Sequence, residues 1–299
     1  MGPSSTRRSS LLATGALLAV TAAWGSTFFM IKDLLDTIPV LDFLGVRFAI
    51  AGLVMLAVAH RAVLALSREA WRRAAVLGLV YGVAQILQTS GLAHTAASVS
   101  GFITGMYVVC TPLLASVLLR TRITAVTWGA VLLATAGLGV LTLQGLSIGY
   151  GEALILVAAV LYALHIVALG AWSTPHEALG MSVVQLLVIA AVCLVTTAPN
   201  GLVLPTSVGD WSRVVYMALV AGALGLLGQT WAQAHLSPTR TAIVMSMEPV
   251  FAALFAVLFG GEGATVRMLV GGVMVLAAML LVEMRPSGAL EGEVQHLTV

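Results

Sequence analysis

The chain has 299 residues, of which 60% are hydrophobic and only 9% charged, with a mean hydropathy of +1.06. Soluble globular domains are about half apolar and about a quarter charged, so a water-soluble enzyme is excluded and an all-α integral membrane protein is expected. The net charge of +2 is too slight to argue for a nucleic-acid partner. Cys110 and Cys193 lie inside apolar runs without metal-ligand spacing and read as small core residues.

A helix needs about 20 predominantly apolar residues to cross the hydrocarbon. In chain order, the first five stretches that qualify are Leu11–Ile31, Pro39–Ala59, Ala74–Ala93, Ser98–Leu119 and Ala125–Leu143. The next five are Glu152–Gly170, Leu179–Ala198, Val214–Ala232, Thr239–Phe259 and Thr265–Val282. Residues 1–10 then form an N-terminal segment, 11–143 and 144–283 two five-span halves, and 284–299 a polar tail expected to be disordered. The Arg7-Arg8 pair is faintly like a twin-arginine export signal, but the apolar run behind it is long and lacks a small-x-small cleavage site. With nine spans following, the first run is kept as a span.

Ten spans leave both termini on one side. With the termini cytoplasmic, ten of the fourteen basic residues face the cytoplasm, Lys32, Arg213 and Arg267 lie outside, and Arg47 stays within a span. That asymmetry predicts cytoplasmic N- and C-termini.

The two halves repeat each other. Gln88-Thr89-Ser90-Gly91-Leu92-Ala93-His94 matches Gln229-Thr230-Trp231-Ala232-Gln233-Ala234-His235 at an offset of 141. Pro112 pairs with Pro249 at 137, Gly129 with Gly271 at 142, and Trp24 and Arg47 with Tyr162 and Gln185 at 138. Five spans per repeat is an odd number, so the second half enters the membrane from the opposite side. The expected fold is two inverted-topology five-helix repeats, whose site in many secondary transporters lies near the midplane between the halves.

A charge at the bilayer centre costs about 2.5–3.5 kcal/mol on insertion scales, so each in-span charge needs a reason. Glu248 lies mid-span beside Pro249, whose missing N–H and crowding ring require a kink or break. It reads either as a proton carrier or cation contact in a cavity, or as a buried carboxylate pinning span nine to a neighbour. Arg47 has three readings: a partner of Glu248, a contact for an anionic substrate group, or an anchor snorkelling to the interface. Asp42, nearer the outer end, reads as an interface residue. His165, mid-span six, is either a proton relay or a neutral, hydrogen-bonded imidazole.

Uncharged polar residues form stripes. Tyr81, Gln85 and Gln88 share one face of span three, and Thr104, Tyr107 and Thr111 one face of span four, just before a second break expected at Pro112. Gln229 and Gln233 share a face of span eight, and Gln185 lies in span seven. Each alone fits an interhelical hydrogen bond; together with Trp24, and with Met106, Met245 and Met247, they suit a moderately polar cavity with an aromatic wall. Gly129, Ala130, Ala134 and Gly137 in span five, with Gly271, Gly272, Ala277 and Ala278 in span ten, mark close packing or the contact of a homodimer.

The sequence resembles the drug/metabolite transporter superfamily, specifically its ten-helix EamA-type exporters. The resemblance rests on Trp24-Gly25-Ser26-Thr27-Phe28, Arg47-Phe48, Ser100-Gly101-Phe102-Ile103-Thr104-Gly105, Ser237-Pro238-Thr239-Arg240 and Met247 through Ala253, ending at Gly261-Glu262. It covers roughly residues 11–283. The family pattern also places an acidic residue after span four, where Arg120-Thr121-Arg122 stands. The resemblance implies metabolite export across the bacterial inner membrane without nucleotide hydrolysis.

The expected function is therefore secondary active transport by alternating access, exporting a small metabolite such as an amino acid or a related amphipathic compound, or a drug, with Glu248 and His165 as proton-coupling candidates. An uncoupled facilitator of the same solutes fits the same residues, and an intramembrane enzyme is the third reading. Against the enzyme, only Asp33 and Asp36 cluster, no Ser–His pair is suitably placed, and no Gly-rich phosphate loop occurs. No catalytic residue, metal or cofactor is expected. The partners are a small-molecule substrate, the lipid bilayer and, if coupling holds, protons.

Overall fold

With no water in the hydrocarbon core, each spanning segment must satisfy its own backbone, and the described residues do so with helices. A computed structural model describes residues 3–95, 97–120, 123–142, 149–197, 201–259 and 263–283. Glu262, Arg122 and the 284–299 tail lie outside the described residues, as do the side chains of Arg7 and Arg8.

The first half runs α1 (Pro3–Gly25), α2 (Phe28–Leu35), α3 (Val40–Leu64), α4 (Arg68–His94), α5 (Ala97–Gly105), α6 (Tyr107–Leu118) and α7 (Ala125–Thr142). The second runs α8 (Tyr150–Trp172), α9 (Ala178–Thr197), α10 (Val208–Tyr216), a π-helical segment (Met217–Leu224), α11 (Gly225–Gln233), α12 (Pro238–Met245), α13 (Glu248–Phe259) and α14 (Val266–Glu283). Among the described residues, eight helical passages are long and apolar enough to cross a membrane, and Ala125–Val140 and Val266–Val282 are shorter apolar helices. At 18 residues each, α7 and α14 still reach about 27 Å. The protein is an all-α integral membrane protein of ten transmembrane helices in two inverted five-helix repeats.

Several helices start earlier than hydropathy indicates. Ser67 and Ser207 accept the N–H groups of Ala70 and Asp210 and cap α4 and α10, so helical hydrogen bonding begins among Arg68, Arg72 and Arg73, or at Val208, before the apolar run. Hydropathy marks only the apolar stretch, and the helices extend beyond it. Ser237 does the same for α12, with Pro238 in the first turn, where its missing N–H costs nothing.

The helices pack as a repeat predicts. The second span (α3) lies along the seventh (α9), and the fifth (α7) along the tenth (α14), each helix beside its own mate. The third span packs on the sixth (α4 on α8) and the first on the eighth (α1 on α11), two contacts that exchange under the same operation. Glycines set the closest approaches. A Cβ on Gly137 would lie 2.9 Å from the Gly271 carbonyl, and one on Gly151 would lie 2.9 Å from the Gly91 carbonyl. The small residues of spans five and ten thus pack within one chain, with Ala130, Ala134 and Ala278 fully buried, while Gly129 faces open space.

Candidate functional site

Three spans are interrupted near their middles. The first breaks at Ser26-Thr27, the fourth at Met106 and the ninth at Ser246-Met247. Each break is one tight i→i−3 bond: Thr27 N–H to Trp24 O (2.9 Å), Met106 N–H to Ile103 O (3.1 Å) and Met247 N–H to Val244 O (3.2 Å). Nearby hydroxyls take up carbonyls. Ser26 Oγ donates to Ala23 O, Thr27 Oγ1 to Trp24 O and Ser246 Oγ to Ile243 O, while Tyr107 donates across to Met245 O at 2.7 Å.

The breaks do not sit on the prolines. Pro249 is the second residue of α13, just past the interruption, and the Met245 carbonyl that its ring crowds is the one Tyr107 takes. Pro112 lies inside α6, and the fourth span breaks earlier, after Gly105. There the chain passes close to span five: a Cβ on Gly105 would lie 2.8 Å from Leu138.

A cavity of about 620 Å³, its opening included, lies between the halves. Its lining includes Trp24, Arg47, Tyr81, Gln85, Gln88, Thr104, Tyr107, His165, Gln229 and Glu248. Of the residues singled out from sequence for this cavity, Gln185 stands one layer behind: its Oε1 accepts from His165 Nε2 (2.8 Å) and its amide donates to Met181 O. Thr111 and Gln233 are buried outside the lining, Gln233 donating to Ile166 O, and of the three methionines Met245 alone contributes.

The lining falls into two parts. An aromatic, hydrogen-bonded wall runs from span three to span six: Tyr162 donates to Gln88 Oε1 (2.7 Å), Gln88 Nε2 to Thr104 Oγ1 (3.0 Å) and Gln85 Nε2 to Tyr81 (3.1 Å). The Tyr81 ring meets those of Tyr162 and His165 at centroid distances of 5.5 and 4.9 Å. The two charges of the lining are Arg47 and Glu248. Arg47, 4% exposed, donates from Nε to Met217 O (3.3 Å), with its guanidinium carbon 5.1 Å from the Phe48 ring centre. Glu248, 7% exposed, opens α13 with its carboxyl beside the Tyr107 hydroxyl. The described residues hold no ion pair between Arg47 and Glu248, and Arg47 does not snorkel to the surface.

The π segment holds this arrangement from behind. Met217 O accepts Arg47 and Ala221 O accepts Trp24 Nε1 at 2.7 Å, so both side chains are aimed by the wide turns of span eight. Asp42, expected at the interface, is 3% exposed and accepts Val203 N–H (3.0 Å) from the loop before α10.

Sequence inspection missed Thr27, Phe28, Ile31, Thr89, Leu92, Tyr162 and Ile166 as cavity lining. The repeat carried a signal for some of these: at offset 138, Trp24, Thr27 and Phe28 land on Tyr162, His165 and Ile166, and all six line the cavity.

A model of the EamA-like transporter family matches residues 11–143 and again 149–284. The chain is 28% identical over 280 residues to an uncharacterized transporter of Archaeoglobus fulgidus, covering 92% of this chain and 87% of that one. The inner membrane transporter YedA of Escherichia coli K12, itself described as uncharacterized, is 25% identical over 89% of each chain. The pseudopaline exporter CntI of Pseudomonas aeruginosa is 26% identical over 93% of this chain and 99% of its own. One crystal structure, at 16% identity, superposes with a TM-score of 0.75 over 93% of this chain and 98% of its own, which establishes a shared fold.

Proposed function

Because the chain belongs to the EamA-like transporter family, we propose that it is a secondary active transporter that exports a small amphipathic solute by alternating access of its two halves. The observation that carries this reading is the cavity between the halves, holding one cation and one carboxylate that are not spent on each other. Arg47 receives an anionic group of the solute. Glu248 receives a cationic group or a proton, and exchange between the two couples transport to the proton gradient. The tyrosine, tryptophan and methionine surfaces accept the apolar part. Amino acids and related amphipathic compounds have this shape, as do some drugs.

Export and inner-membrane location rest on the names of CntI and YedA, and cytoplasmic termini on the ten-to-three bias of basic residues. Proteoliposomes test the assignment. Glu248→Gln is expected to fold normally and to lose uphill flux driven by a pH gradient. Undiminished proton-driven flux in that variant sinks the coupling role. Failure of a pH gradient to drive uphill flux in the unaltered protein makes it a facilitator instead.

A further inference from the structure

The repeat places Gln88 opposite Gln229 and, at the offset of Pro112 and Pro249, Thr104 opposite Thr241. In the first half, this pair is bonded: Gln88 Nε2 donates to Thr104 Oγ1 at 3.0 Å. In the second half it is not. Gln229 Oε1 and Thr241 Oγ1 are both buried without a hydrogen-bond partner among the described residues. Gln229 Nε2 instead reaches Gln233 and lies 3.9 Å from the sulfur of Met245, one turn beyond Thr241 along α12. Buried polar atoms are ordinarily satisfied, and two orphans at the mates of a bonded pair ask for a state in which they meet.

The cavity shows which state is present. Ile31 and Leu92, near the ends of α2 and α4 on the side away from the termini, line it; their mates Leu169 and Gln233 are buried outside the lining. Inverted repeats change facing by exchanging the conformations of their halves. We propose that Gln229 and Thr241 form a hydrogen bond in the exchanged state, in which Gln88 and Thr104 part, so that the two pairs are made and broken alternately during transport. Thr241 is thus a positioning residue that sets the balance of the two facings without touching the cargo. The proposal rests on the alternating-access reading above.

Single reporter cysteines at Ile31 or Leu169, with Cys110 and Cys193 replaced by Ala, test it in vesicles of known sidedness with a membrane-impermeant maleimide. Thr104→Val is expected to raise the Leu169-to-Ile31 labelling ratio about three- to tenfold, the worth of one interhelical hydrogen bond, and Thr241→Val to lower it by a similar factor. Thr241→Ser keeps the unaltered ratio, and the double valine variant returns towards it. Thr241→Val removes an unpartnered hydroxyl, so the facing seen here tolerates it. Shifts in the same direction, or none, overturn the latch while leaving alternating access standing. A Leu169 cysteine that never labels in the unaltered background overturns alternating access and the latch together.

Discussion

Trp24, Thr27 and Phe28 in the first half correspond to Tyr162, His165 and Ile166 in the second, and all six face the cavity, yet the two helices that carry them differ. The first span breaks at Ser26-Thr27, whereas α8 passes through the same region unbroken. Arg47 faces the cavity where its mate Gln185 is turned to support His165. Glu248 lines it where its mate Thr111 is buried outside the lining. The break in span nine falls about one turn farther along than that in span four once the repeats are aligned. The halves therefore share a scaffold and divide the chemistry. Duplication supplied the two-fold frame, and Arg47, Glu248 and the π segment have no like counterpart in the other half, which makes the lining asymmetric.

The largest expected effect comes from making one half resemble the other where the backbones touch. Gly25 corresponds to Ala163, but a Cβ at Gly25 would lie 2.8 Å from both Ala252 N and Glu248 O. Gly25→Ala should prise α1 from α13 at the carboxylate, costing about 2–3 kcal/mol of thermal stability in detergent and most of the flux. The reverse change, Ala163→Gly, should cost only about 1 kcal/mol. Equal effects of the two would end the claim that the halves have specialised at this crossing.

Next is the charge. Arg47→Gln copies Gln185 into the first half and should reduce flux at least about tenfold, equivalent to about 1.4 kcal/mol, with the melting temperature little changed. If flux survives, the cargo makes no contact with the guanidinium. A smaller effect is expected at the aromatic wall. Trp24→Phe loses the Nε1 bond to Ala221 O and should raise KM about threefold, with a loss of about 0.6 kcal/mol in stability. The smallest effect on transport is expected at Gly129, set against Gly137. A Cβ at Gly129 meets nothing within 4 Å, so Gly129→Ala should gain up to about 1 kcal/mol in helix propensity without changing transport; Gly137→Ala meets the Gly271 carbonyl at 2.9 Å and should destabilise the chain. A dimer contact at Gly129 would show itself as a change in oligomeric mass in the first variant.

Much of this was open to reading from composition and spacing. Scarce charge implied a membrane, run lengths marked ten spans, and the Gln-Thr-x-x-x-Ala-His repeat with an odd span count implied inversion. These are one-dimensional consequences of hydrocarbon thickness and of duplication. Most polar residues chosen for the cavity do line it, because an ionisable or amide group within a span has few other places to be. What sequence left open depended on distances between segments far apart in the chain. The ladder of the fourth span gives way where Gly105 passes Leu138 rather than at Pro112, and Arg47 is aimed by the carbonyl of Met217, 170 residues away. Whether Arg47 and Glu248 were partners was equally a matter of tertiary placement, as was the difference between the bonded pair Gln88–Thr104 and the separated pair Gln229 and Thr241. Hydropathy and periodicity record what each helix prefers by itself; side-chain partners across the two halves are chosen only when the helices meet.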